Sequence, residues 1–139
     1  VKINLVLQSG PTVLDYQNVS TKELPKIIDS ICDEILVDST LEYVNNDYFP
    51  LLVKKLRYGG NLTLVGTDLN SAIKAYEVGN LSIDEFNMLV AGGRMGIQPL
   101  TQVLEKLKNV GLTVLEIKYH DMKYYIKATR PIRAIPANG

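Results

Sequence analysis

The sequence predicts an α/β domain: a mainly parallel sheet flanked by helices and closed by an antiparallel hairpin. Three observations carry this expectation. Short apolar strands around Ile3, Ile35 and Leu62 are separated by segments that include helical spacing. Glycine and proline clusters stand at the junctions between them. Two strand-like segments near the end are joined only by His120-Asp121-Met122, too short for a parallel crossover and suited to a hairpin. The chain has 139 residues, 46% of them hydrophobic, which is enough for one core and too little for two independent domains. A single domain is expected over residues 1–130, followed by a flexible C-terminal tail over 131–139.

Taken in order, Lys2 to Gln8 contains Ile3, Leu5, Val6 and Leu7 and stops at Ser9-Gly10-Pro11, a strand running into a tight turn. Val13 to Val19 reads as a second short strand. Ser20 and Glu23 have capping-box spacing, so a helical segment should run to about Ile31, with Pro25 tolerated in its first turn. Asp33 to Thr40 has a continuous apolar middle and a polar exit, the pattern of a strand buried on both faces. Helical spacing from Tyr48 to Arg57 is ended by Tyr58-Gly59-Gly60, and Asn61 to Gly66 forms the next buried strand. Helices follow at Ser71 to Glu77 and at Ser82 to Ala91, the latter with a capping box from Ser82 and Glu85 and a break at Gly92-Gly93. Pro99 to Asn109 carries an apolar stripe of Leu100, Val103, Leu104 and Leu107. Strands at Thr113 to Tyr119 and Lys123 to Ala128 complete the hairpin. The strands at Ile3, Ile35 and Leu62 are expected to be neighbours in the sheet.

Several function classes drop out. Fifteen Lys+Arg balance fifteen Asp+Glu, so no global basic field exists for general nucleic-acid binding. One cysteine and one histidine cannot build a zinc site of the usual Cys/His kind or an intramolecular disulfide. The apolar runs are far shorter than the ~20 residues of a membrane-spanning helix. No secretory pattern opens the sequence, and the three Asn-x-Ser/Thr triplets at Asn18, Asn61 and Asn80 therefore carry no meaning as glycosylation sites. A cytoplasmic protein is expected.

The order of elements and four short motifs resemble the class I S-adenosylmethionine-dependent methyltransferases, a Rossmann-like family. Ile3-Asn4-Leu5 through Ser9-Gly10-Pro11 is similar to an opening Leu-Asn-Leu-Gly-x-Gly, and Tyr16-Gln17-Asn18-Val19-Ser20 to a Tyr-x-Asn-Val-Asp second strand. Asp33-Glu34-Ile35 to Leu41-Glu42-Tyr43-Val44 is similar to Asp-Glu-Ile with Leu-Glu-His-Val, and Leu56-Arg57-Tyr58-Gly59-Gly60-Asn61-Leu62 to Leu-Lys-Pro-Gly-Gly-x-Leu. The resemblance implies a fold shortened by one edge strand, because Ser20 to Cys32 has no room for the family's third strand and its helix. It also implies S-adenosylmethionine as cofactor and a small-molecule or saccharide acceptor.

In an open α/β sheet, ligands sit at the carboxyl ends of the strands near the topological switch point. The cofactor-binding candidates are accordingly Ser9, Gly10, Ser20, Asp38 and Ser39, and the substrate-binding candidates are Thr40, Asp68 and Arg94. Asp38-Ser39-Thr40 either lines the pocket or caps the next element; Asp68 is an acceptor contact, a base or a helix cap; Arg94 meets an anionic substrate or solvent. His120 is read as a solvent-facing turn residue and Cys32 as a small core residue. The eight tyrosines serve ring stacking or amphipathic packing equally well.

Two departures from the family matter. Val6 stands near an expected glycine, and Ser20 stands where an acidic residue accepts the ribose hydroxyls. These departures predict weak or absent binding of S-adenosylmethionine and a non-catalytic binding or assembly subunit as the alternative function. They are joined by an edge strand at Val13 to Val19 that would pair with a second copy or a protein partner. A nucleotide-binding domain unrelated to methyl transfer is less supported, since no Walker or full dinucleotide fingerprint is present.

Overall fold

The computed structural model describes residues 1–8, 10, 12–43, 48–91 and 96–132. Six strands form one sheet in the order β2-β1-β3-β4-β6-β5. Parallel pairing joins β1 (Lys2–Val6) to β2 (Gln17–Ser20) and to β3 (Cys32–Asp38), and β3 to β4 (Leu56–Thr67). The strands β5 (Thr113–His120) and β6 (Lys123–Thr129) add antiparallel, with β6 against β4. Ile3 pairs with Ile35 and Ile35 with Leu62, so the three apolar strands are neighbours as expected. The hairpin closes one edge through Asp121 and Met122, both at positive φ (46° and 65°), the signature of a two-residue type I′ turn.

Which face is covered follows from the direction of each connection. With right-handed crossovers, the β1–β2 link and the β3–β4 link move across the sheet in opposite senses and must lie on opposite faces. The β3–β4 link carries α1 (Tyr48–Lys55), and α4 (Leu100–Asn109) packs on the same side. Phe49 and Leu52 of α1 and Val103 and Leu107 of α4 join Ile3, Leu5, Val19, Ile35, Val37, Leu62, Leu64 and Ile126 in one core. The described residues of the β1–β2 link, 7–16, include no α-helix. The face beneath it carries Lys2, Glu34, Asn61, Thr63 and Lys127 toward one end and Val6, Leu36 and Val65 toward the carboxyl ends of the parallel strands.

The expectation of burial on both faces holds for β1 from Ile3 to Val6 and for the end of β4, where Val65 is buried, and is corrected for β3. Register places Leu36 alone among the Ile35-Leu36-Val37 run on the second face, where it is only half-buried. The short apolar run in β3 hid this one-sided pattern. Three further boundaries differ. The second strand begins at Gln17, because Tyr16 N–H donates to the Val13 carbonyl (3.0 Å) and Asp15 has φ 68°, which turns residues 13–16. The expected helix to Ile31 is one 3₁₀ turn, Leu24–Lys26. Buried Lys55 donates through Nζ to the carbonyls of Ile27 (2.5 Å) and Pro25 (3.3 Å), oxygens a continuing helix would use itself. Finally, Gly59 and Gly60 lie within β4 and do not end α1. They form an irregularity between the Cys32↔Leu56 and Glu34↔Asn61 pairs, with Gly59 at φ 83°.

The remaining helices are α2 (Leu69–Glu77) and α3 (Ile83–Val90), the latter with the expected capping box between Ser82 and Glu85. Among the described residues no helix is long and apolar enough to cross a membrane. Of the expected tail, residues 133–139 lie outside the described residues.

Candidate functional site

Because the β1–β2 link departs to one side and the sheet continues through β3 to the other, the switch point lies between β1 and β3. A cleft of about 390 Å³ opens there, at the carboxyl ends of both strands. Asn4, Leu5, Val6 and Leu7 of the β1 side, Gly10 and Val13 of the following loop, and Leu36, Asp38, Ser39, Thr40 and Tyr43 form its walls. That volume lies within the usual range for small-molecule pockets.

The polar groups around the cleft are positioned by their neighbours. Asp38 ends β3 with an exposed carboxylate, and Ser39 Oγ donates to its Oδ1 at 3.2 Å. Ser39 takes a left-handed backbone (φ 60°), which turns the chain sharply out of the strand. Thr40 is buried, and its Oγ1 donates to the Leu5 carbonyl at 3.0 Å, tying the exit of β3 to β1. On the other wall, buried Asn4 donates through Nδ2 to Asn18 Oδ1 (3.0 Å), and Asn18 Nδ2 donates to the Gly10 carbonyl (3.1 Å). This chain of amides fixes the loop over the cleft.

Four of the sequence candidates therefore meet: Gly10, Asp38, Ser39 and Thr40. Ser20 is not among the cleft-lining residues. It is buried at the end of β2, where its Oγ accepts the Glu23 N–H at 3.2 Å. Ser9 and Arg94 lie outside the described residues. Asp68 sits apart, at the end of β4, as the N-cap of α2. Its carboxylate accepts from the Ser71 N–H (2.9 Å) and Oγ (2.8 Å), the Leu100 N–H (2.8 Å) and the Tyr119 hydroxyl. Burial alone would raise its pKa, but these donors hold it below the usual carboxylate value. Its oxygens are thus engaged in joining α2, α4 and β5.

His120 is exposed at the hairpin and Cys32 is buried in the core, where burial pushes its thiol pKa up. Among the described residues no cluster of His, Cys, Asp and Glu could hold a metal ion. Sequence reading missed Asn4, Val13, Leu36 and Tyr43 as cleft residues. Asn4 gave the one available signal, a polar residue between Ile3 and Leu5.

The cleft fits an S-adenosyl group in one part and poorly in another. An exposed carboxylate at Asp38 can hold an ammonium. The glycine of the first turn, however, is already in use: a Cβ on Gly10 would lie 2.9 Å from Val6 Cγ1, so its missing side chain makes room for Val6. The hydroxyl of Ser20 is likewise engaged, and it carries no charge.

No protein-family model matches the sequence, and no curated protein matches it. Solved structures do match, at low identity. An S-adenosylmethionine-dependent methyltransferase of Mesorhizobium loti is 15% identical, with TM-score 0.61 over 91% of this chain and 78% of that one. An S-adenosylmethionine-dependent methyltransferase of Thermotoga maritima is 14% identical, with TM-score 0.59 over 83% of this chain and 63% of that one. A complex of the Haloferax volcanii Trm112 methyltransferase activator with a methyltransferase gives 12% identity and TM-score 0.62, over 90% of this chain and 65% of that one. The chain thus spans less than two thirds of the length of the latter two. At such identity these matches show the fold, that of the class I methyltransferases.

Proposed function

We propose that the chain is an S-adenosylmethionine-dependent methyltransferase-like domain whose cleft brings the cofactor to a small-molecule or saccharide acceptor. The observation that supports this reading is the place of the cleft, at the switch point of a methyltransferase fold and open to solvent beside an exposed carboxylate. When bound, the cofactor supplies an electrophilic methyl group on a sulfonium, and its transfer depends on in-line positioning more than on a strong base. In this chain Asp38 holds the ammonium of the methionine portion and Ser39 orients that carboxylate. Thr40 keeps the two strand ends together, and Tyr43 offers a ring to the adenine or the acceptor.

A second reading, a non-catalytic binding or assembly subunit, is favoured by Val6 against Gly10 and by the engaged hydroxyl of Ser20. Calorimetric titration with S-adenosylmethionine and its demethylated product separates the two. The first reading expects saturable but weak binding, lost in Asp38→Ala. No heat from the wild type, or heat indifferent to Asp38→Ala, overturns it in favour of the second.

A further inference from the structure

We propose that β5 is a self-pairing edge, along which two copies of the chain join antiparallel about a two-fold axis through Ile117 into one continuous sheet. The strand lies at the end of the sheet order, and seven of its eight residues are exposed. Leu115, Ile117 and Tyr119 are 56%, 45% and 48% exposed; Ile117 and Tyr119 form an apolar row, and Leu115 lies beside it at an irregularity, on a strand whose outer backbone groups have no neighbour in the sheet. At the opposite edge, β2 has four residues and buries two of them, so it offers far less to a partner.

Backbone geometry selects the register. The two-residue turn closes on the His120↔Lys123 pair, which exchanges hydrogen bonds within the hairpin. Alternation then directs the amides and carbonyls of Lys118 and Glu116 toward β6, and those of Ile117 and Tyr119 outward. The strand is irregular between Val114 and Glu116, so the regular stretch Glu116 to His120 carries the register, and an axis through Ile117 makes Ile117 hydrogen-bond its own copy.

The same axis makes the charges complementary. Glu116 and Lys118 share the other face of β5, with Lys118 Nζ 3.2 Å from Glu116 Oε1. Antiparallel pairing about Ile117 sets each Glu116 opposite the Lys118 of the other copy, giving four charges of alternating sign. Pairing centred one residue away on Glu116 or on Lys118 would set like charges face to face. Beside the apolar row, a groove of about 430 Å³ between α4 and β5 is walled by Leu104, Leu112, Val114 and Ile117. The second copy's row would cover it. Since both copies use one patch, the contact is isologous and closes at two.

Sedimentation equilibrium and velocity over a concentration series test this. A monomer–dimer equilibrium is expected for the wild type. Ile117→Lys, which sets two cations on the axis, should leave only monomer. Glu116→Lys should weaken the dimer about tenfold or more by replacing two attractive cross-strand pairs with two repulsive ones. The double reversal Glu116→Lys with Lys118→Glu should restore it, because the alternation survives. The three substituted positions, Glu116, Ile117 and Lys118, are exposed, so circular dichroism should show unchanged folding. A wild-type monomer at every concentration overturns the proposal, as does a dimer indifferent to Ile117→Lys. Failure of the double reversal to restore pairing overturns the register. None of these outcomes depends on cofactor binding.

Discussion

The two faces of the sheet are built to different rules. On the covered face, side chains from β1, β2, β3, β4 and β6 meet α1 and α4 in one apolar core. On the other, β1, β3, β4 and β6 present Lys2, Glu34, Asn61, Thr63 and Lys127, with Val6 and Val65 toward the cleft end, and the described residues of the connection 7–16 include no α-helix. Stability is concentrated on the first face and the candidate chemistry on the second. Two adjacent residues of one strand can therefore differ several-fold in what they contribute.

The largest effect is expected from that pair. Ile35→Ala, on the covered face, should cost about 2–5 kcal/mol in urea unfolding, while Leu36→Ala, one residue on and facing the cleft, should cost less than half as much. Equal costs would erase the distinction between the faces. Gly66→Ala sharpens it, since a Cβ there would lie 2.3 Å from the Tyr124 hydroxyl and 2.6 Å from its Cζ. A loss of about 1–3 kcal/mol is expected from overpacking, visible as a lower denaturation midpoint at unchanged slope.

Asp68→Asn should cost about 1–3 kcal/mol by weakening the acceptor shared by α2, α4 and β5. The folded pKa of Asp68 lies below its unfolded value, so its contribution is complete above the ordinary carboxylate range. It is lost as pH falls through the depressed value, and unfolding curves taken down the acid range should show this fall in the wild type and a shallower one in the variant. At the small end, Lys123→Ala on the open face should change stability by no more than about 0.5 kcal/mol.

The neighbouring strands at Ile3, Ile35 and Leu62, the hairpin and the capping box at Ser82 were legible because each rests on local spacing. Gly10, Asp38, Ser39 and Thr40 could be placed together because strand ends in an open α/β sheet converge whatever the detail of the loops. What could not be read were effects set across the sheet. Lys55 takes the carbonyls that would have continued a helix after Pro25, and nothing near Pro25 in sequence announces it. The Asn4–Asn18–Gly10 tether depends on a strand register that exists only once β1 and β2 pair. Ser20 resembled both a cap and a cofactor contact, and the Glu23 N–H decides how its hydroxyl is used.

The two-residue turn at Asp121 and Met122 also bears on the order in which the chain assembles. Hairpins with such turns close on a timescale of about 1–10 μs, whereas distant strands must first overcome the loop-closure entropy of everything between them. Strands β5 and β6 can therefore zip before the rest of the sheet exists, and β6 reaches β4 only after the segment bearing α2, α3 and α4 has been drawn in. That docking is expected to be the slow, rate-setting event. Substitutions in the turn should then change the folding rate with little change in unfolding, and those at the β4–β6 seam should divide their effect between both, as refolding and unfolding kinetics of the two sets of variants would reveal.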